Sequence, residues 1–215
     1  RLVSSAASDV YKRQIFRQRR DYRRAREVYQ NVEEMLEVED AGKLISARLR
    51  LADGFLEIGE SERAREHAMG VHDLSLELSE HQLHARSRVI LGRYYARTKD
   101  SELSLLHYNA ALETFSEEAN PTNAVETEML LGQVLVDVGR TSEASEHYLD
   151  ALSIAEANDF RLLQAEILAR LGTIRGDRSE RVAYLQRSLS VFKDLGAHTR
   201  MKEIQNSVHR ALMGR

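Results

Sequence analysis

Cysteine is absent from this sequence, which excludes disulfides, thiol catalysis and cysteine-ligated metal sites. Long apolar runs are absent as well, and no stretch approaches the length of a membrane span. Neither charge dominates. The 31 Lys and Arg oppose 34 Asp and Glu, and a net charge of −3 gives bulk electrostatics no argument for nucleic acid. Also missing are a G-x-S-x-G elbow, a P-loop, an H-E-x-x-H pair and a Gly-rich phosphate turn, so neither an enzyme nor a cofactor or metal site is expected. Acidic pairs such as Glu117-Glu118 read as a solvated face. The single proline, Pro121, follows Asn120, which suits a helix N-cap and first helical position. A cytoplasmic protein is the default expectation.

What is present is a period. Leu51-Ala52, Leu91-Gly92, Leu131-Gly132 and Leu171-Gly172 recur every 40 residues. A period in this range marks stacked structural repeats, elongated surfaces whose usual task is to hold other molecules. Further columns keep the step: Ile45, Ala85, Val125 and Ala165; Phe55, Tyr95 and Leu135; Ala64, Ser104 and Ala144; Ala68, Tyr108 and Tyr148; Val71, Ala111 and Ala151. Within each half-unit these positions are three, four or seven apart, which is one face of a helix. Each unit is therefore two amphipathic helices, A then B. Small residues mark close helix crossings. Gly59 and Gly139 are placed to end A helices in the left-handed conformation. Ser61 and Thr141 are expected to cap the following B helices, and in Lys99-Asp100-Ser101 the cap survives without the glycine.

The pattern L-[GA]-x2-aromatic, turn, A-x3-Y-x2-A, complete from Leu131-Gly132 through Ala144, Tyr148 and Ala151, resembles the tetratricopeptide repeat (TPR). The units exceed the usual length of about 34 residues and are similar to the long units of bacterial regulatory proteins of the MalT-like kind. HEAT repeats share the length but not the Leu-Gly and Ala-Tyr-Ala columns. The resemblance implies an all-α fold, a right-handed α-solenoid of TPR-like hairpins with a C-terminal capping helix. One domain is expected over 15–213, with a partial unit at 15–40, units at 41–79, 80–119, 120–159 and 160–195, and the cap at 197–213. In the partial unit, Phe16, Asp21-Tyr22, Ala25, Tyr29 and Val32 match the columns. The unit at 160–195 is compressed, with Leu185 and Ser188 three residues early in the Tyr and Ala columns and a short turn at Arg175-Gly176-Asp177-Arg178-Ser179. Met201, Ile204, Val208, Ala211 and Leu212 form the apolar stripe of the cap, with Lys202, Glu203, Asn206 and Arg210 facing away. Residues 4–14, SSAASDVYKRQ, look like a translated sequencing-library adapter, and residue 1 is Arg rather than Met. Residues 1–14 are therefore expected to be non-native, with native sequence from about Ile15 continuing a longer protein.

In TPR arrays the A helices line a concave groove, and the resemblance carries that face to Asp53, Arg93, Gln133 and Thr173; to Arg50, Ile90, Leu130 and Arg170; to Ser46, Arg86, Glu126 and Glu166; and to Glu57, Arg97 and Asp137. These residues are expected either to hold a protein or peptide or to pair with one another. The chain lacks the asparagines of the chaperone-binding TPRs in these columns, which argues against chaperone C-terminal tails. Three other signals have plainer readings. His67, His107 and His147 share a column, but like positions of neighbouring units stand roughly 10 Å apart, whereas zinc-binding nitrogens must lie at about 2 Å. They read as packing histidines. His81 and His84 are one turn apart without a third ligand. Arg17, Arg19, Arg20, Arg23, Arg24 and Arg26 form a basic run whose nucleic-acid reading competes with pairing to Glu27, Glu33, Glu34 and Glu37. The leading expectation is a protein- or peptide-binding domain at the C-terminal, sensory or scaffolding end of a bacterial regulator. A self-associating scaffold and a nucleic-acid-associated regulator are the alternatives. Oligomeric state is not legible.

Overall fold

The apolar columns at spacings of three, four and seven predict helices that bury one face each, and the computed structural model is built this way over the residues it describes: 27, 28, 30, 31, 41–174 and 176–213. The adapter-like segment 1–14, the basic run Arg17 to Arg26, and Phe16, Tyr22, Tyr29, Val32, Glu33, Glu34, Glu37 and Arg175 lie outside them. The chain divides into two compact units, Arg1–Thr98 and Lys99–Arg215. The first holds α1 (Ala41–Ile58), α2 (Ser61–Glu77) and α3 (His81–Thr98). The second holds α4 (Ser101–Glu117), α5 (Pro121–Asp137), α6 (Thr141–Ala157), α7 (Arg161–Leu171), α8 (Arg178–Asp194) and α9 (His198–Leu212). Among the described residues all regular structure is helical, and the fold class is all-α, made of TPR-like hairpins of the solenoid kind.

The columns form the cores. In the first unit Ile45, Leu51, Ala52, Phe55, Ala64, Ala68 and Val71 pack together, each at most 2% exposed. In the second, Val125, Leu135, Ala144, Tyr148 and Ala151 do the same. Leu185 and Ser188 are buried in the columns assigned to them, and the Ser188 hydroxyl donates to the Ala165 carbonyl at 2.7 Å. The compression falls in α7, which stops at Leu171 after 11 residues where other A helices run 17 or 18. Contrary to the expected short turn, residues 172–177 separate it from α8, where two or three residues join the other A and B helices, and Arg178 and Ser179 already belong to α8. Asp177 then caps α8 by accepting from the Glu180 amide at 3.1 Å. In α9, Ile204 and Ala211 are buried, but Leu212 is 48% exposed. The expected stripe is therefore one residue too wide, because Leu212 is turned about 100° from the buried Ala211 at the end of the helix.

Every 20 residues from 59 to 159 a residue takes positive φ: Gly59 (88°), Ser79 (55°), Lys99 (64°), Ala119 (50°), Gly139 (82°) and Asp159 (53°). At five of these turns the next residue's amide bonds back five residues, as Arg140 does to Leu135 at 2.8 Å and Asn120 to Phe115 at 2.8 Å. This is the Schellman ending, which satisfies otherwise orphaned carbonyls. The turn consumes two residues, so Glu60 and Arg140 take the N-cap positions, without a side-chain cap bond. Ser61 and Thr141 fall one residue inside the helix and do not cap, contrary to expectation. Where the right side chain stands at the N-cap position it works: Asp100 accepts from the Leu103 amide and Asn120 from the Asn123 amide, both at 3.2 Å.

Ala119 adopts its turn conformation despite its Cβ. Left-handed backbone costs an L-residue roughly 1–2 kcal/mol, partly offset by the greater unfolded-state freedom of glycine. Ala119→Gly is therefore expected to stabilise the protein by about 0.5–1 kcal/mol, and Gly139→Ala to cost a similar amount. Urea-denaturation midpoints of the two variants should move in opposite directions.

Candidate functional site

The A-helix faces are built from α1 and α3 in the first unit and from α5 and α7 in the second. Arg93 Nη1 bonds Asp53 Oδ1 at 2.8 Å, with side chains 26% and 19% exposed. Residues 40 positions apart thus touch, so α1 and α3 lie side by side with their columns in register. On this face Arg50, Arg86, Arg97 and Ser46 are exposed and Glu57 is half-buried. Ile90 is only 3% exposed and packs in the first core, so it serves the fold rather than the surface.

In the second unit Gln133 Nε2 donates to Asp137 Oδ1 at 2.9 Å, and Arg170 Nη1 donates to Gln133 Oε1 at 2.5 Å. The Arg170 guanidinium also lies 5.9 Å from the Tyr148 ring centroid, a cation–π arrangement that ties this face to the core. Thr173 donates to the Arg170 carbonyl. Glu166 pairs with Arg200 of α9 at 3.6 Å, Leu130 is half-buried and Glu126 is exposed. The structure thus brings together Asp53 with Arg93, and Gln133 with Asp137 and Arg170, as polar bridges within the two faces.

The histidines pack. His67 stacks on Phe55 with ring centroids 5.5 Å apart. His147 Nδ1 lies 2.6 Å from Glu128 Oε2, and that hydrogen bond, outweighing burial, raises the His147 pKa. Glu128 is 7% exposed and was not singled out from sequence; the only signal was its position 19 residues before a histidine, on the facing helix. A second unforeseen bridge is Tyr94, whose hydroxyl donates to Glu62 Oε1 at 2.6 Å, lowering the Glu62 pKa. His84 Nε2 accepts from Arg88 Nε at 2.9 Å, and its ring lies 4.2 Å from that of His72, while His81 is exposed. The Arg88 bond occupies one of the two ring nitrogens through which His84 could ligate. No group of three or more His, Cys, Asp or Glu with metal-site geometry occurs among the described residues.

Burial, then the neighbouring His72, depresses the His84 pKa. The unfolded chain then takes up more protons, so stability from this group is present above about pH 6.5, the ordinary histidine value, and falls as pH drops below it. Measured between pH 8 and 5.5, the urea midpoint of the parent should fall further than that of His84→Gln.

One cleft lies off these faces, about 490 Å³, between the C-terminal end of α6, the start of α7 and α8. Arg187–Glu156 at 3.0 Å and Arg161–Asp194 at 3.4 Å are exposed pairs on its walls. Among the described residues no helix is long and apolar enough to cross a membrane.

The Tetratricopeptide repeat family model matches residues 129–158, which run from the middle of α5 to the end of α6. No curated protein matches the sequence. Among solved structures, the fold is similar to that of a signal transduction ATPase with numerous domains (STAND) protein with a tetratricopeptide repeat sensor from Pyrococcus horikoshii, at 14% identity and TM-score 0.75, over 94% of this chain and 31% of that one. It is similar to aspartyl phosphate phosphatase F from Bacillus subtilis, at 13% identity and TM-score 0.74, over 85% of this chain and 49% of that one. It is also similar to the Rap conjugation gene regulator of plasmid pLS20 in complex with the Phr* peptide, at 14% identity and TM-score 0.57, over 82% and 56%. The chain spans about a third to just over half of these proteins' lengths, and identities this low speak for the fold alone. The match at 129–158, the repeat columns buried in both cores and the Schellman-linked hairpins identify α5 and α6 as a tetratricopeptide repeat hairpin within an all-α, TPR-like fold.

Proposed function

We propose that this chain is a protein- or peptide-binding TPR domain, extending over 15–213, that serves as the sensory or scaffolding part of a larger regulatory protein of the long-unit bacterial type. The observation that carries the reading is the register of α1 and α3, fixed by the Arg93–Asp53 pair, which aligns polar side chains from successive repeats on one face. The similar structures include a TPR sensor within a STAND protein and a regulator holding a peptide. Asp53, Glu57, Arg86, Arg93 and Arg97 would contact the partner in the first unit. Glu126, Leu130, Gln133, Asp137 and Arg170 would do so in the second. Occupancy would be passed to an output domain elsewhere in the same protein.

Arg93 and Arg97 offer the partner two charge-assisted hydrogen-bond donors, of the kind that dominate binding when desolvated. The Arg93→Ala/Arg97→Ala double variant is expected to weaken a captured partner's binding by at least about tenfold, roughly 1.4 kcal/mol, with helical circular dichroism unchanged. Unchanged affinity would remove the site from the A-helix faces.

A further inference from the structure

The near-neutral total charge conceals a local imbalance. Helices α1 and α3 together carry seven Lys or Arg against two acids. On their A-helix face stand Arg50, Arg86, Arg93 and Arg97, opposed by Asp53 and Glu57. One of those acids is already engaged, since Asp53 holds Arg93 at 2.8 Å. Arg50 and Arg86 are exposed, and neither has an ion-pair or hydrogen-bond partner among the described residues. The corresponding face of α5 and α7 has the opposite sign, with Glu126, Asp137 and Glu166 against Arg170. Helix α2 is also net acidic. The positive face in the first unit is therefore a local feature, not a consequence of composition.

We infer that the α1/α3 face takes an acidic peptide segment, whose carboxylates meet Arg86 and Arg50, with the Asp53-fixed Arg93 about one turn further along the same face. This rests on the reading that the A-helix faces hold the partner. The physical basis is charge complementarity. Guanidinium forks recognise carboxylates in bidentate geometry, and an ion pair already made within the face holds Arg93 in place, so less of its freedom is lost on binding. Exposed charges of this kind steer and select, and their contribution falls with salt.

The test uses the whole chain and three fluorescent decapeptides of alternating Glu-Ala, Lys-Ala and Ser-Ala, read by anisotropy at low and physiological salt. The Glu-Ala peptide should bind at least tenfold more tightly than either other. Arg50→Glu/Arg86→Glu should remove that preference, and Lys193→Glu on α8, the same kind of charge change elsewhere, should leave it. Both sets of positions are exposed, and circular dichroism confirms that the variants fold. Equal or tighter binding of the Lys-Ala or Ser-Ala peptide, still sensitive to Arg93→Ala/Arg97→Ala, would overturn the acidic preference and keep the A-helix site. If no peptide binds, the acidic-peptide inference falls, and the A-helix site stands or falls separately with the effect of Arg93→Ala/Arg97→Ala on the captured partner. Tighter binding of oligothymidylate through Arg50 and Arg86 would also overturn the inference, because the face would then read phosphates.

Discussion

Tyr148→Ala is expected to destabilise the second unit by about 3–5 kcal/mol, the range for truncating a fully buried aromatic, and so to remove much of the about 5–15 kcal/mol that holds a domain folded. Tyr148 is 1% exposed at the centre of the second core. Its ring lies directly on the backbone of α5: a Cβ added at Gly132 would stand 2.6 Å from Tyr148 Cε1. The glycine is therefore required by the ring, and Gly132→Ala alone should cost about 1–3 kcal/mol by overpacking, despite the higher helix propensity of alanine. The chain supplies its own control. In the first unit the same two columns hold Ala52 and Ala68, both fully buried. The double variant Gly132→Ala/Tyr148→Ala reproduces that pair and should cost at least about 1 kcal/mol less than the two single changes added together. Tyr148→Phe, which keeps the ring, should stay within about 1 kcal/mol of the parent. Denaturation curves followed by circular dichroism give all four values, and additivity within error would show that the two columns do not pack as described.

The core was legible because burial at a helix crossing repeats wherever the repeat does. Leu, small, aromatic and Ala-Tyr-Ala positions recur at one step, and a residue buried in one unit predicts its equivalent in the next. Even the compressed unit obeyed this once Leu185 and Ser188 were shifted by three residues. Caps were legible only to within a residue. Asp100 and Asn120 stand at the N-cap position and cap, whereas Ser61 and Thr141 stand one place later and do not, because the Schellman turn fixes where the next helix begins. The faces were legible as columns but not as pairings. Composition placed Arg93 beside acids without saying that Asp53 would hold it, since that choice depends on the lateral register of α1 and α3. Glu128 was the hardest to see. It lies two residues from the exposed Glu126, and a rotation of 200° about the helix axis separates solvent from the buried contact with His147.

That contact carries the second large prediction. Glu128 is a carboxylate with 9% of its side chain exposed, and His147, 28% exposed, faces it at 2.6 Å. Removing the imidazole leaves a buried acid without this partner. His147→Ala is therefore expected to cost about 2–3 kcal/mol near pH 6. The other acids acting on His147 are Asp150 and Glu146 on α6; Glu143, whose pKa is lowered chiefly by its hydrogen bond from Arg140, feels the His147 charge only as a smaller contribution. The sign of the pH dependence follows from the raised His147 pKa. The folded protein holds this proton more tightly than the unfolded chain, so the stabilisation is fully present below about pH 6.5, the ordinary value. It declines as pH rises from there through the folded-state pKa. The cost of His147→Ala should accordingly be larger at pH 6 than at pH 8.5, and should not vanish, since a neutral imidazole still donates one hydrogen bond to Glu128. Glu128→Gln separates charge from packing: it retains a hydrogen-bonding partner at the same place but should return the His147 titration, followed by NMR of the ring proton, toward the ordinary range. A His147 titration unmoved by Glu128→Gln would show that the shift comes from the α6 acids and not from the buried pair. Acid thus acts with opposite sign at these two histidines: protonation favours the His147–Glu128 bridge between α5 and α6, and it works against the buried His84 between α2 and α3.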